Sequence, residues 1–548
     1  MTTRGPVRAD GDNRRWAQLA NAGRAGLAVI ALISALSVVL GMGGCHGRPP
    51  VRPAGSSGPP VRSRAASSDE KLAASRGPEE VPRRPAREVG KAAASALRAQ
   101  ARAANVVICV LDAARADRVG CYGYPRNTTP NIDELARDSV VFRRHFSTCS
   151  LTTPSTASLF TGLYVDAHCI HERGALDDRI VTLAEGLRQV GMRTAVLSSN
   201  VSASPEAGLG AGFDYVFPRP GSRGGVGKGR AERGGEWWRA PGALTRELAK
   251  WLDEEHPKRF FAYLHFLPPH APYKAPDAFV DAVAAVRVPP SRPGRFDFPE
   301  VERAQRGSGP NQMPFPLGTW TDLYDANLRW GDWGVGEVIR LLRERNLLDN
   351  TLLIVTSDHG EAFGEHGYIN HMLAVYDELV HIPLVIRFPG EKAVVGDVFA
   401  LTQTVDLLPT IFDLFGVGWK QDAIQGRSLL PLLDGSRKQI RDFVFARSHG
   451  AWPSYLVRNS EWSLILYQGG ELRALYDLRR DPKQLRNVIA QRPETAARLA
   501  EVFTAFARTQ AHPLAEFMSP EAATSAPRPK RELPESVRRE LKALGYVD

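Results

Sequence analysis

The sequence predicts a three-layer α/β fold: a mostly parallel sheet covered by helices on both faces, followed by a smaller α+β subdomain. Three observations predict it. Apolar, β-rich runs alternate with segments whose apolar residues recur three and four positions apart. The runs lack a polar alternation, the pattern of strands buried on both faces. The polar residues of note stand just after such runs, and in parallel sheets the chemistry gathers beyond the carboxyl ends of the strands.

The elements follow in order. "NVVICVLD" begins at Asn105 and ends on Asp112, and "TPNIDELARDS" has helical spacing. "TLAEGLRQVG" reads as a helix closed by Gly191, with "RTAVLSS" as the next strand. "FFAYLHF" (Phe260–Phe266) is another buried strand. "YDANLRWGDWGVGEVIRLLRERNLL" is a long amphipathic helix, and "NTLLIVTSDHG" follows it as a strand. "GKAAASALRAQARAA" (Gly90–Ala104) reads as a short helix leading into the fold, and no internal repeat is present. The organisation expected is an export or anchor segment (1–45), a Pro/Arg/Ala-rich linker (46–104), a main α/β domain (105–440), a C-terminal subdomain (441–510), and a linker with a terminal helix in "ESVRRELKALGYVD" (511–548).

The net charge of +10 is confined to one end. Residues 1–104 hold 17 Lys/Arg against 7 Asp/Glu, and the remaining 53 basic and 53 acidic residues cancel. The folded part therefore has no basic field for nucleic acid. Arg4, Arg8, Arg14, Arg15 and Arg24 precede the uncharged "AGLAVIALISALSVVLGMGG", which ends next to Cys45. A basic region before an apolar one marks an export segment. "MGGC" fits a lipoprotein cleavage box, twenty uncharged residues fit an uncleaved anchor, and plain secretion is the third form. All three place the body outside the cytoplasm, at the periplasm or cell surface, and the first two tether it to a membrane. If Cys45 is lipidated, four cysteines remain, enough for one or two disulfides. Cys109 lies in an apolar run and reads as a buried thiol.

Asp112 ends the first strand, His270 follows "AYLHFLP", and Asp358 and His359 follow "LLIVTS". Two carboxylates and an imidazole at strand ends suit one divalent cation: calcium prefers oxygen ligands, and manganese or zinc accepts the imidazole as well. A second signal is "CSLTTPSTASLFTGLY", Cys149 to Tyr164. Pro154, Ser155 and the helix-forming "TASLF" put Thr152 at a helix N-terminus, with a hydroxyl residue suited to the cap. Free backbone N–H groups there favour an anion.

With these pieces stand "LDAARADRVGCYGY", "TPNIDELARDSVVFRRHFS", "LPPHAPY", "YDELVHIPLVIRFPG", "TVDLLPTIFDLFG", "IQGRSLLPLL" and "LYDLRRDPKQLRNV". In this order they make the chain resemble the sulfatase family of the alkaline phosphatase superfamily over roughly residues 105–510. The resemblance implies an alkaline-phosphatase-like α/β/α sandwich. It matches Asp112, Asp358 and His359 to metal ligands, and Thr152 to the catalytic residue that also touches the metal. His270 matches a histidine on the oxyanion or leaving group. His371 and Asn200 fall where relatives hold substrate-contacting residues, and His366 and His371 are near enough in sequence to bear on a second metal.

Three departures from the family pattern matter. Ala113 stands where a second adjacent Asp is usual. "SSNVSA" replaces the "KxH" segment after "RTA". The motif Cys-x-Pro-x-Arg is here Thr-x-Pro-x-Thr, Thr152 to Thr156. Threonine carries a methyl on its β-carbon, so its oxidation would give a ketone, and no formylglycine is expected. A metal at the Thr152 oxygen would lower the hydroxyl pKa and allow direct attack on phosphorus or sulfur.

The expected function is therefore metal-dependent hydrolysis of sulfate or phosphate esters through a threonyl intermediate. Phosphodiester cleavage or phosphotransfer on envelope lipids or glycans is one alternative, and an inert glycan-binding relative is another. The partners expected are a small-molecule, glycan or lipid ester and a membrane at the N-terminus. Cys149 lacks a proline two residues on and does not fit the modification motif. "GSRGGVGKGR" (Gly221–Arg230) lacks the order of a phosphate loop and reads as an insertion. The tryptophans of "GEWWRA" and "RWGDW" read as packing or loop anchors.

Overall fold

The computed structural model describes residues 91–510 apart from 172–175, 219–239, 284–316, 368, 391–393, 420–422, 450–452 and 468–471. The expected export segment, the expected linker before residue 91, the stretch 221–230, "GEWWRA" up to Arg239 and the expected terminal helix lie outside the described residues. Among the described residues, no helix is long and apolar enough to cross a membrane.

Eight strands form the central sheet: β1 (Asn105–Leu111), β2 (Val140–Phe142), β3 (Arg193–Ser198), β4 (Tyr215–Phe217), β5 (Phe260–Phe266), β6 (Thr351–Ser357), β7 (Leu384–Arg387) and β8 (Gly396–Val398). Their order is β8-β2-β7-β6-β1-β5-β3-β4. All pairings are parallel except the two made by β7. β1 sits at the centre, and its side chains alternate between two cores, as period-two geometry requires. Val106, Ile108 and Val110 pack with Phe160, Leu187 and Leu407. Val107, Cys109 and Leu111 pack with Ile132, Leu248, Trp251 and Trp320. The first core lies under α3 (Thr152–Thr161), α4 (Leu183–Gln189) and α7 (Leu407–Phe415). The second lies under α2 (Pro130–Ala136), α5 (Pro241–Glu255) and the long α6 (Leu317–Glu344). α1 (Lys91–Ala101) contributes Leu97 and Ala101 to the first core.

The local signals act as their chemistry predicts. Thr182 and Glu185 close a capping box on α4, and Gly191, at φ 83°, turns the chain into β3. One expectation is corrected. Thr152 is not the N-cap of α3; Leu151 holds that position and Thr152 is the first helical residue. Its hydroxyl is thus placed one residue inside the helix rather than at the cap.

After the central sheet comes a four-stranded antiparallel sheet, β9 (Val444–Arg447), β10 (Ser454–Arg458), β11 (Trp462–Tyr467) and β12 (Leu472–Asp477). Helix α8 (Pro493–Gln510) covers one face through Ala496 and Leu499. The other face packs on Val375, Leu379 and Val380, in the chain that follows the "SDHGE" loop. Cys109, Cys121, Cys149 and Cys169 are all free thiols.

Candidate active site

The site is built where β1 and β6 end. These strands pair in register, Leu111 opposite Ser357, so Asp112 and Asp358 leave the sheet side by side. The turn after Asp358 must be close-packed: a Cβ on Gly360 would sit 2.0 Å from the Glu378 carbonyl oxygen. Ser155 of α3 donates to the Asp358 carbonyl at 2.6 Å and so fastens the helix start to this turn.

Each ligand candidate is anchored through one atom and presents another. Asp358 Oδ1 accepts the N–H of Ala113 (3.1 Å) and of His359 (2.9 Å). Asp112 Oδ2 accepts from Asn200 Nδ2 at 2.5 Å and lies 3.1 Å from His265 Nε2. The opposite oxygens, Asp112 Oδ1 and Asp358 Oδ2, are buried without a hydrogen-bond partner. His359 Nδ1 is 2.9 Å from the Gly360 carbonyl, so Nδ1 carries the proton and Nε2 keeps its lone pair. That Nε2 lies 3.7 Å from Asp112 Oδ1, 3.5 Å from Asp358 Oδ2 and 3.1 Å from Thr152 Oγ1.

Ligand atoms of Asp112, Asp358 and His359 all lie within 4.8 Å of one another. Two orphaned carboxylate oxygens and an imidazole nitrogen fit a divalent cation. A buried ionised carboxylate is costly unless compensated, and a cation supplies the compensation. Burial pushes the Asp112 pKa up, but His270, His265 and His359 outweigh it and hold the carboxyl well below the usual range.

Of the remaining sequence candidates, His270 and His371 join the cluster. Their rings are 4.9 Å apart, and that of His371 stacks on His359 at 4.3 Å. The His270 backbone N–H bonds to the Asp112 carbonyl, and its Nδ1 to the Ala271 carbonyl. His371 Nδ1 is 3.3 Å from Glu361 Oε1. Burial lowers both imidazole pKa values; for His371, His359 and His270 add to the effect. Burial, then the Asp112 charge, raises that of Glu361 well above the carboxylate range.

Asn200 is placed against Asp112, and its Oδ1 accepts the Ser202 N–H at 2.9 Å. His366 lies elsewhere, held by Glu378 Oε1 (2.6 Å) and the Gln484 carbonyl (3.0 Å) and stacked on Tyr376. Among the described residues, no metal-ligating group of three or more includes it. Cys149 is buried and its thiol is pushed up to about 12, chiefly by burial, which disqualifies it as a nucleophile.

His265 was not legible as a site residue. It lies inside "FFAYLHF", a run that reads as core, and it is fully buried. The usable signal was its place: a polar residue one position before the end of a buried strand.

The family model described as Sulfatase matches residues 104–417, more than half of the chain. The model described as N-sulphoglucosamine sulphohydrolase, C-terminal, matches residues 364–509. The multifunctional alkaline phosphatase superfamily protein PehA of Trinickia caryophylli is 27% identical over 403 residues, covering 60% of this chain and 77% of that protein. An arylsulfatase of Clostridium perfringens is 24% identical over 438 residues, covering 70% of this chain and 90% of the relative. The solved phosphonate monoester hydrolase from Silicibacter pomeroyi superposes with a TM-score of 0.56 at 26% identity, covering 74% of this chain and 94% of that one. The chain belongs to the sulfatase family, within the alkaline phosphatase superfamily, and is a hydrolase of that family.

Proposed function

We propose that the protein is a metal-dependent esterase that uses Thr152 as its nucleophile and prefers phosphorus esters to sulfate esters. The observation that carries this is the position of Thr152 Oγ1, 3.1 Å from His359 Nε2 and at the first residue of α3, beside the orphaned oxygens of Asp112 and Asp358. A divalent ion held by Asp112, Asp358 and His359, whether calcium, manganese or zinc, would lower the pKa of the hydroxyl and offset charge on the reacting ester.

The chain's own groups account for the rest. Thr152 Oγ1 forms a bond to phosphorus, and the bond from phosphorus to the leaving oxygen breaks. The proton that the Thr152 hydroxyl gives up on attack is balanced by the one the leaving oxygen takes up, and that oxygen departs as the alcohol. Water, or an acceptor alcohol, then attacks phosphorus, the Oγ1–phosphorus bond breaks, and the hydroxyl is restored. The start of α3 points N–H groups at the anion, and His270 and His371 stand beside the site as hydrogen-bond partners for its oxygens. An aldehyde hydrate can expel its anion by re-forming a carbonyl. Threonine cannot, so every turnover needs a second attack on the central atom, which favours phosphorus. The similar structure from Silicibacter pomeroyi is a phosphonate monoester hydrolase, an activity compatible with that preference. The basic and apolar N-terminal stretch, read as an export segment, supports an extracytoplasmic substrate, an ester of an envelope lipid or glycan.

Turnover of matched aryl sulfate, phosphate monoester and phosphodiester substrates by the metal-loaded protein tests the reading. Thr152→Ala is expected to lose phosphoester turnover by about 1,000-fold or more, as nucleophile removal does. Sulfate-ester turnover that survives the substitution would sink the threonine mechanism.

A further inference from the structure

Asp112 differs from Asp358 in what holds it. The residue after Asp112 is Ala113, at φ 63°, which brings no second carboxylate to this strand end. Ala113 contributes only its backbone, an N–H to Asp358 and a carbonyl that accepts from Tyr324 Oη at 2.8 Å. Asp112 must then be oriented by something else.

β5 supplies it. This strand lies beside β1, with His265 opposite Val110. Phe261 and Tyr263 belong to the core under α3, and His265 continues their face of the strand. Tyr263 packs its ring on Phe160 of α3 at 4.8 Å, and its hydroxyl is 2.9 Å from His265 Nδ1. His265 Nε2 is 3.1 Å from Asp112 Oδ2. An ionised carboxylate only accepts, so Nε2 carries the proton, and Nδ1 accepts from the Tyr263 hydroxyl. The result is a relay, Tyr263 to His265 to Asp112, anchored on a core tyrosine. Asn200 delivers the second donor to the same oxygen from the chain that follows β3.

We infer that His265 is a positioning residue of the metal centre, which with Asn200 clamps Oδ2 of Asp112 and so aims Oδ1 at the ion. The inference rests on the metal reading of the site. It also says that His265 is not itself a ligand. Its Nε2 lies 3.8 Å from Asp358 Oδ2, near the donor set, but the proton it gives Asp112 occupies the lone pair that a metal would need. Outer partners of this kind fix a ligand's orientation, and their loss costs roughly 10–100-fold in metal affinity.

The test uses the full chain, stripped of metal and titrated with Mn²⁺ and Co²⁺, with affinity and the visible Co²⁺ spectrum as readouts. His265→Leu fills similar space without a donor, and His265→Gln restores one. His265→Leu is expected to bind roughly 10–100-fold more weakly. His265→Gln is expected to recover most of the affinity with the Co²⁺ bands in their wild-type positions. Leu binding as tightly as wild type overturns the inference. Displaced Co²⁺ bands in the Gln protein overturn it too, because they show a lost nitrogen ligand. If the Leu protein does not fold, the Gln protein decides alone: weak binding with shifted bands is the contrary result, and near-wild-type binding with unshifted bands the expected one. A wild-type protein that takes up no ion overturns the metal reading itself, a result separable from either of the others.

Discussion

The two carboxylates of the site occupy equivalent places, one residue past the ends of adjacent parallel strands, yet they are supported in opposite ways. Asp358 is held by backbone: the N–H groups of Ala113 and His359 converge on Oδ1. Asp112 is held by side chains: Asn200 and His265 converge on Oδ2. A backbone amide is a donor with one polarity, and no substitution inverts it. An asparagine amide and an imidazole can each exchange donor for acceptor, by rotation or by a change of tautomer. Half of this centre is therefore fixed by the chain path and half by replaceable residues.

Replacing each carboxylate by its amide separates the halves most strongly. In Asp358→Asn the side-chain oxygen must accept both backbone N–H groups, so the NH₂ faces the cation. Metal affinity is expected to fall by more than the ~100-fold of an outer-partner loss. In Asp112→Asn the partners can adapt. His265 can donate through Nδ1 to Tyr263 and accept at Nε2, leaving the new amide oxygen for the ion. Asn200 resists through its bond to Ser202. The Asp112 variant should hence bind metal at least about tenfold more tightly than the Asp358 variant, a gap that corresponds to ~1.4 kcal/mol. Equal losses in equilibrium dialysis would remove the basis of the comparison.

A smaller effect is expected at the peptide side of Asp358. Ser155, fully buried, links α3 to this turn by its 2.6 Å bond to the Asp358 carbonyl. Ser155→Ala should lower stability by about 1 kcal/mol, the usual worth of such a bond. The two amides that grip the carboxylate stay in place, so metal affinity should change by less than the ~10-fold lower bound for outer partners. Denaturant unfolding and metal titration of the same protein check both halves of this statement. A large affinity loss without a stability loss would mean that Ser155, rather than the amides, orients Asp358.

The same division explains what could be read from the sequence. Asp112, Asp358 and His359 were legible because each follows a buried apolar run, and strand periodicity alone places such residues at one sheet edge. The central strands and the long helix α6 were legible for the same reason, from their apolar spacing. His265 was not, because a strand-interior histidine has the neighbours of a core residue; only the pairing of β5 with β1 puts it beside Asp112. Asn200 is legible as a polar residue after a buried strand, but its partner is not, since the chain after β3 reaches Asp112 only across the folded sheet. The cap lies one residue before Thr152, because Leu151 is still extended and the helical angles begin with the threonine.

Ala113 lies at the joint between the two halves and offers the mildest test. Its φ of 63° is in the left-handed region, where a Cβ is crowded and glycine is not. Its known contributions are its N–H to Asp358 and its carbonyl to Tyr324, both of which glycine keeps. Ala113→Gly should relieve ~1–2 kcal/mol of backbone strain and return part of it through the greater entropy of the unfolded chain. The buried methyl group is also lost, which takes back a further part. A net gain of no more than about 1 kcal/mol in denaturant unfolding is expected, with metal affinity unchanged. A clear loss of stability would show that the buried methyl group contributes more than the strain it causes. Residue 113 would then act through its side chain after all, and the backbone half of the comparison would be the weaker one.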